Sequence, residues 1–306
     1  MARQNHMEDA RQFARTPRVV KKMRNGGNDT RRMRVGIVGL GAVGSALKHA
    51  LAFFHDCLGY DVNGDYRWDD ILATDILFVC VGTPERAGDR LDCSQVTNVL
   101  GRLNEDGYPN PVVIRSTLRV GFMAGATARF PRLRLVYSPE FLRERSRFQW
   151  SVCPDRIVVS GRAEDVRETL HDIEWVEDAE ILIMDHRSAE VAKLAHNAFI
   201  AVKVSFTNEI ERIAQRLGAD PCAVMDVITA DRRVKSREHL QPFKGPYGGK
   251  CVPKDTRELI AAAGEAPLLR AAEEANERMK AGERALGEAE EVPSAPKAPS
   301  STEDVA

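Results

Sequence analysis

Arg34-Val-Gly-Ile-Val38 runs directly into Gly39-Leu-Gly-Ala-Val-Gly44, and the choice of fold rests on these two segments. The first is a short apolar run of the kind that forms a buried strand, and the second places three glycines in the order G-x-G-x-x-G ahead of a helical pattern through Ala50. Glycines at this spacing let the chain turn tightly, let backbone approach a pyrophosphate, and let helix pack on strand, with the helix N-terminus facing the phosphates. Glycine-rich turns are common, so the pattern gains its meaning from the next strand candidate, Leu58-Gly-Tyr-Asp-Val62. Asp61 closes it, about twenty residues on, where a carboxylate accepts hydrogen bonds from ribose hydroxyls and repels a 2′-phosphate. The competing reading is that Asp61 begins the turn Asp61-Val-Asn-Gly64. Taken together, Gly39, Gly41, Ala42, Val43, Gly44 and Asp61 point to NAD, in preference to NADP.

Further strand candidates occur at Ile76-Leu-Phe-Val-Cys-Val81, Val112-Val-Ile114, Leu133-Arg-Leu-Val136 and Arg156-Ile-Val-Val159. Strands separated by helical or loop segments imply an α/β fold with a doubly wound, Rossmann-type, mainly parallel sheet. From residue 187 the pattern becomes helical, with Val191, Ala195, Phe199, Val202, Phe206, Ile210, Ile213 and Leu217 recurring at steps of three or four. Leu194, Ala198, Ile200 and Val204 make the first half apolar nearly all round, as expected of a helix sandwiched between domains or subunits. Gly218 stops it, Asp220-Pro221 caps a second helix, and a third begins near Asp255. The expected organisation is a disordered basic arm (1–32), an NAD-binding domain (33–186), an all-α domain that carries a second glycine-rich loop (187–282) and a disordered tail (283–306).

The chain has 306 residues, a formal net charge of −1 and 43% hydrophobic residues, which suits two compact domains and excludes fibrous classes. No run of about twenty apolar residues exists and no apolar core follows a charged N-terminal stub, so neither a membrane span nor a signal peptide is expected. The cytoplasm is the expected compartment. The six cysteines lack paired metal-type spacing, which argues for reduced thiols and against a disulfide framework or a metal site. Arg and Lys dominate the first residues, but without interleaved aromatics or a binding module the arm reads as solvated and not as a nucleic-acid site.

A second glycine-rich segment is more informative. Lys244-Gly-Pro-Tyr-Gly-Gly-Lys-Cys-Val-Pro-Lys-Asp255 brings a thiol, ammonium groups and a carboxylate into one loop. The thiolate is the reactive form, and Lys250, Lys254 and a following helix N-terminus are each expected to favour it. A lone cysteine is otherwise a small buried residue. Lys193 and Asn197, four apart on an apolar helix, share a face where an ammonium and an amide can converge on an oxygen carrying negative charge. The alternative is that Lys193 snorkels to solvent and Asn197 caps a neighbour. Glu140 and Glu144 lie in Glu-Phe-Leu-Arg-Glu and could equally be solvated carboxylates paired with Arg143 or Arg145.

The nucleophile loop resembles that of the UDP-glucose/GDP-mannose dehydrogenase family, whose signature reads G-F-G-G-S-C-F-P-K-D. Val81-Gly-Thr-Pro84, Ser116-Thr117, Ser138-Pro-Glu-Phe-Leu-Arg-Glu144, Pro154-Asp-Arg-Ile157, Ala189-Glu-Val-Ala-Lys-Leu-Ala-His-Asn-Ala-Phe199, Asn208-Glu209 and Asp231-Arg-Arg233 also resemble family blocks, in family order. The resemblance covers roughly residues 33 to 280. It implies that Cys251 is a nucleophile that adds to an aldehyde formed by one hydride transfer, gives a thiohemiacetal, and after a second transfer holds a thioester. It further implies that Asp255 and Lys193, beside Asn197, handle the alcohol proton and the oxyanion, and that Glu140 is the base for hydrolysis with a water near Thr117. Val81, Gly82, Thr83, Thr117, Glu144 and Lys254 are implied to line NAD. Glu140, Phe141, Leu142, Arg143, Lys193, Asn197, Tyr247, Gly248 and Cys251 are implied to line the nucleotide sugar, with Arg233 reaching across a homodimer built on the long helix.

Departures accompany the resemblance. Family members usually continue into a third, Rossmann-like domain over the substrate nucleotide, whereas this sequence passes into a Pro/Ser/Glu-rich tail. Pro246, Tyr247 and Lys250 stand where the family has Gly, Phe and Ser, and Arg145 stands for a glycine. Pro246 fixes φ and removes an N–H, so the loop's recognition of substrate is expected to differ. The leading expectation is UDP-glucose oxidation to UDP-glucuronate; the alternatives are another primary alcohol, such as a nucleoside or sugar phosphate, and a non-catalytic NAD-binding protein.

Overall fold

Val35 and Ile37 belong to one buried apolar cluster and Val38 to another, so successive side chains of the first strand feed two cores. The same division holds along the chain. Leu77, Val79, Val112, Ile114, Leu135 and Tyr137 join the core of Val38, whereas Ile76, Phe78, Val113 and Val136 join that of Val35 and Ile37. A sheet buried on both faces is what strands of nearly continuous Val, Ile and Leu require, and each fully buried side chain contributes about 1.5–3 kcal/mol. Gly36 is glycine because a Cβ there would stand 2.7 Å from Leu77 Cδ1 and 2.9 Å from Thr74 Oγ1.

The computed structural model describes residues 32–86, 88, 90–142, 148, 151, 154–171 and 179–290. Strands β1 (Arg34–Val38), β2 (Asp56–Tyr60), β3 (Ile76–Val79), β6 (Pro111–Ile114), β7 (Arg134–Tyr137), β8 (Arg156–Gly161) and β9 (Glu180–Ile183) form one sheet of order β2-β1-β3-β6-β7-β8-β9. The pairs β1–β2, β1–β3, β3–β6, β6–β7 and β8–β9 are parallel; β7–β8 is antiparallel. Helices α1 (Ala42–Leu51), α2 (Trp68–Leu72), α3 (Ser94–Glu105), α4 (Phe122–Arg129) and α5 (Ala163–His171) connect them. A separate hairpin pairs β4 (Glu85–Arg86) with β5 (Arg90–Leu91). The sequence pattern does not predict strand β9 or the hairpin: β4 and β5 are two residues each, too short to set up an alternation.

The remaining helices are α6 (His186–Arg216), α7 (Pro221–Ala230), α8 (Val252–Ala263) and α9 (Pro267–Glu290). Asp220 caps α7 by accepting from the Cys222 amide at 2.9 Å, with Pro221 opening the helix. Helix α8 begins three residues before the expected Asp255, because Cys251 itself is the N-cap. Leu194 and Ala198 of α6 are buried while Val191 and Phe199 are exposed, so within this chain its early turns are covered on one side only. Among the described residues, one compact unit runs to Phe199 and takes in Lys250–Ala266; the other holds Ile200–Gly249 and the residues from Pro267 on. The thiol loop is divided at 249/250.

Candidate active site

Because β1, β3, β6 and β7 are parallel, their carboxyl ends lie along one edge, and each is followed by residues of chemical interest. Gly39 follows β1 with φ +92, and a Cβ there would meet Cys80 and Val81 backbone at 2.8 Å. Gly44 is closer still: its Cβ would stand 1.9 Å from the Gly39 carbonyl oxygen. Gly41, the N-cap of α1, has no described atom within 4 Å of such a Cβ. The turn is therefore packed shut behind Gly39 and Gly44 and open in front of Gly41, a cradle that fits a pyrophosphate. Asp61 follows β2 and accepts from the Leu40 amide at 2.8 Å and from the Asn63 amide and side chain at 3.0 and 3.1 Å. These bonds, the Leu40 amide foremost, hold its carboxyl below the usual range. Asp61 thus both ends the strand side of the crevice and opens the turn to Asn63.

After β3 come Cys80, Val81, Gly82 and Thr83, the last buried. Ser116, after β6, donates to the Val81 carbonyl at 2.7 Å and so ties this loop to the half-buried Thr117. After β7 comes Glu140, buried, whose carboxylate accepts from the Leu142 amide at 2.6 Å and meets Lys193 Nζ at 3.4 Å. Lys193 is 3% exposed, which rules out snorkelling. Burial alone would raise the Glu140 pKa, but the Lys193 ammonium, the Leu142 amide and the Arg115 guanidinium together hold it below the usual carboxylate range. Phe141 has two cations near its ring, Arg156 at 4.4 Å and Lys193 at 5.3 Å from the centroid.

One turn further along α6, Asn197 donates to Asp255 at 2.5 Å. The other Asp255 oxygen accepts from Lys254 at 2.6 Å, and its carboxylate is fully buried. Lys193 and Asn197 therefore share a face, as expected, but each holds a carboxylate. Cys251 precedes Asp255 by one helical turn, its carbonyl accepting from the Asp255 amide at 3.0 Å. Its thiol is accessible and lies within electrostatic range of Asp255, Lys254, Lys193 and Glu140.

Lys254 favours the thiolate, as expected, and so does Lys193, but neither sets the net direction. Partial burial, reinforced by the Asp255 carboxylate, raises the Cys251 pKa against Lys254 and Lys193, and Lys250 exerts no comparable influence.

Residues 60–175 match the NAD binding domain of the UDP-glucose/GDP-mannose dehydrogenase family, and residues 187–278 match its central domain. The chain belongs to this family. UDP-glucose 6-dehydrogenase YwqF of Bacillus subtilis is 36% identical over 198 residues, 62% of this chain and 44% of that protein. GDP-mannose 6-dehydrogenase of Pseudomonas syringae pv. tomato is 28% identical over 292 residues, 78% of this chain and 66% of that protein. A solved UDP-glucose dehydrogenase from Pyrobaculum islandicum superposes with a TM-score of 0.75 at 29% identity, covering 85% of this chain and 73% of that one. The chain spans about half the length of the curated relatives it matches.

Three family positions lie in the second unit. Tyr247 is buried, its amide donating to Asn276 Oδ1 at 2.8 Å and its carbonyl accepting from Asn276 Nδ2 at 3.0 Å. Gly248 is open on its Cβ side. Arg233 is exposed and folded onto Asp231, with two contacts of 3.0 Å and one of 2.5 Å. Arg143, Glu144 and Arg145 lie outside the described residues.

Sequence reasoning misses Asn276, Glu190 and Arg115. Glu190, buried one turn before Lys193, accepts from the Gly121 and Met123 amides at 2.6 and 2.7 Å, clipping α6 to the start of α4. Its i, i+3 relation to Lys193 is the available signal. Arg115 donates to Ser138 at 3.0 Å, and its buried Nε has no partner among the described residues. Burial foremost depresses its pKa, against Cys80, Glu140 and Tyr137.

Proposed function

We propose that the chain catalyses NAD-dependent, four-electron oxidation of the primary alcohol of a nucleotide sugar, of the UDP-glucose to UDP-glucuronate type. The observation that carries this reading is the pair of carboxylates held by one face of α6, Glu140 by Lys193 and Asp255 by Asn197, with the Cys251 thiol one turn before Asp255.

Gly39, Gly41, Ala42, Val43, Gly44, Asp61 and the loop Val81–Thr83 are the residues that would hold NAD, together with Thr117, Glu144 and Lys254. When bound, NAD accepts the hydride that each oxidation removes from the substrate carbon. Asp255 and Lys193, both buried, take up the alcohol proton and balance the developing oxyanion. The Cys251 thiol adds across the aldehyde C=O, forming a C–S bond while its proton passes to the oxygen. After the second oxidation Cys251 carries a thioester. Glu140, kept ionised by its cationic neighbours, removes a proton from water near Thr117; the C–S bond breaks and the thiol is restored. Each turnover consumes water and yields two NADH per acid.

Phe141, Leu142, Arg143, Tyr247, Gly248 and Arg233 are assigned to the substrate. Val191, Phe199, Phe206 and Ile213, exposed along α6, support pairing of two copies on that helix. Cys57, Cys80, Cys93, Cys222 and Cys251 are free thiols, in keeping with a reducing, cytoplasmic setting. Among the described residues, no helix is long and apolar enough to cross a membrane.

The test is stoichiometric. Incubation with NAD and UDP-glucose, and then other nucleotide sugars, is expected to give two NADH per acid, and Cys251→Ser to abolish acid. An unchanged rate in Cys251→Ser removes the mechanism.

A further inference from the structure

Helix α8 carries the thiol at its N-cap and has no side-chain capping bond there, so lateral contacts must fix its position. One is Asp255 on Asn197. Beside the apolar packing of Leu259, further polar contacts come from residues just beyond Asp255 in the helix, and they reach the β4–β5 hairpin. Arg257 Nη1 meets both oxygens of Glu85 at 2.7 Å. Glu258, fully buried, accepts from the Leu91 amide at 2.7 Å and from Arg90 Nε at 3.2 Å.

The hairpin has little reason to exist by itself. With two residues per strand it is far below the size that is stable alone, and it stands apart from the seven-stranded sheet. Its place in the chain is informative: only Pro84 separates it from the loop Val81–Thr83, and the Pro84 carbonyl accepts from the Asp92 amide at 2.8 Å, closing the hairpin's base. A buried carboxylate is also a costly anchor where apolar contacts would hold a helix as well. What a carboxylate on a backbone amide supplies is a fixed register. Glu258 lies three residues after Asp255, hence on the same face of α8, so a shift of the hairpin is a shift of Asp255 and Cys251.

We propose that Arg257 and Glu258 are positioning residues that clasp α8 to the β4–β5 hairpin. The clasp registers the Cys251 thiol against the Val81–Thr83 loop, so that sulfur and hydride acceptor address the same carbon. This rests on the oxidation proposed above, and it assigns the hairpin a role in catalysis that involves no contact with substrate. A displacement of about 1 Å at a reacting centre costs on the order of 100-fold in rate, which is the scale the clasp has to protect.

The experiment compares wild type with Glu258→Gln, with Glu85→Arg and Arg257→Glu singly, and with the charge-swapped pair. Turnover is read as NADH formation with UDP-glucose, NAD binding by calorimetry, and Cys251 accessibility by its rate of alkylation with iodoacetamide, with and without saturating NAD. Glu258→Gln and both single surface variants are expected to lose about 10- to 100-fold in kcat with NAD affinity within about threefold. The charge-swapped pair is expected to recover most of that loss. NAD is expected to slow alkylation of wild type and to slow it much less in Glu258→Gln. Wild-type kcat and wild-type protection in Glu258→Gln overturn the proposal; so does a charge-swapped pair that melts normally yet stays as impaired as its parents. Should Glu258→Gln not fold, the surface pair decides. If wild type reduces no NAD with any nucleotide sugar, the oxidation reading fails, and the clasp stands or falls on alkylation alone.

Discussion

Two helices of this molecule begin in glycine-rich loops, and their N-termini are used in opposite ways. Helix α1 opens at Gly41 with no capping side chain and no acidic residue in its first turn, and no described atom fills the space beside Gly41. Helix α8 opens at Cys251 and carries Asp255 in its first turn, fully buried and already bonded to Lys254 and Asn197. A helix N-terminus presents roughly half a positive charge. In α1 that charge is left for a ligand, whereas in α8 the protein's own carboxylate has claimed it. One glycine loop therefore suits a pyrophosphate, and the other does not by itself make a thiolate.

The most damaging change to this arrangement lies at Gly44. Gly44→Val puts a side chain where even a Cβ would be 1.9 Å from the Gly39 carbonyl. We expect a loss of about 3 kcal/mol or more in a urea melt and NAD binding weakened by at least about 100-fold in calorimetry. Gly41→Ala tests the same turn with a smaller change: because no described atom crowds that position, melting should match wild type while NAD affinity falls by about tenfold. Unaltered NAD binding in Gly41→Ala would mean that the open space is not the ligand's.

At the other helix, Asp255→Asn removes an anion that raises the thiol pKa, so the pKa should fall. Alkylation of Cys251 at pH 7 is then expected to quicken about threefold even as turnover drops. An unchanged alkylation rate would show that burial alone holds the thiol up. The smallest effect concerns Glu140, whose carboxyl is held below the usual range when folded despite its burial. Its contribution is complete above the pKa of the unfolded carboxyl and is lost as pH falls through the depressed folded value. Urea melts between pH 7 and pH 3 should show on the order of 1 kcal/mol less acid sensitivity in Glu140→Gln than in wild type.

Much of this is legible in the chain. The runs of Val, Ile and Leu in Arg34–Val38 and Ile76–Val79, the glycine spacing and the cap at Asp220-Pro221 are local signals, and local signals survive folding. The membership of Lys193, Asn197, Glu140, Cys251 and Asp255 in one cluster is available only through family resemblance, because Glu140 and Lys193 are separated by 53 positions. Which partner each polar group takes is not legible at all. Four-residue spacing puts Lys193 and Asn197 on one face, but only the folded chain shows that each is occupied by a carboxylate. The sign of the Cys251 shift escapes a sequence reading for the same reason: lysines adjacent in sequence are visible there, whereas burial and the weight of Asp255 are not. The β4–β5 hairpin escapes it because its strands are two residues long and its contacts with Arg257 and Glu258 come from far downstream.

Asn276 grips Tyr247 by its peptide atoms, one bond to the nitrogen and one to the oxygen, as a neighbouring strand would. These two bonds fix the path of the chain at that point through atoms that every residue shares. A lineage could exchange the residue at 247, and with it whatever the loop discriminates, while inheriting the same curve of backbone. The amide on α9 thus separates what must be kept for shape from what can drift for taste.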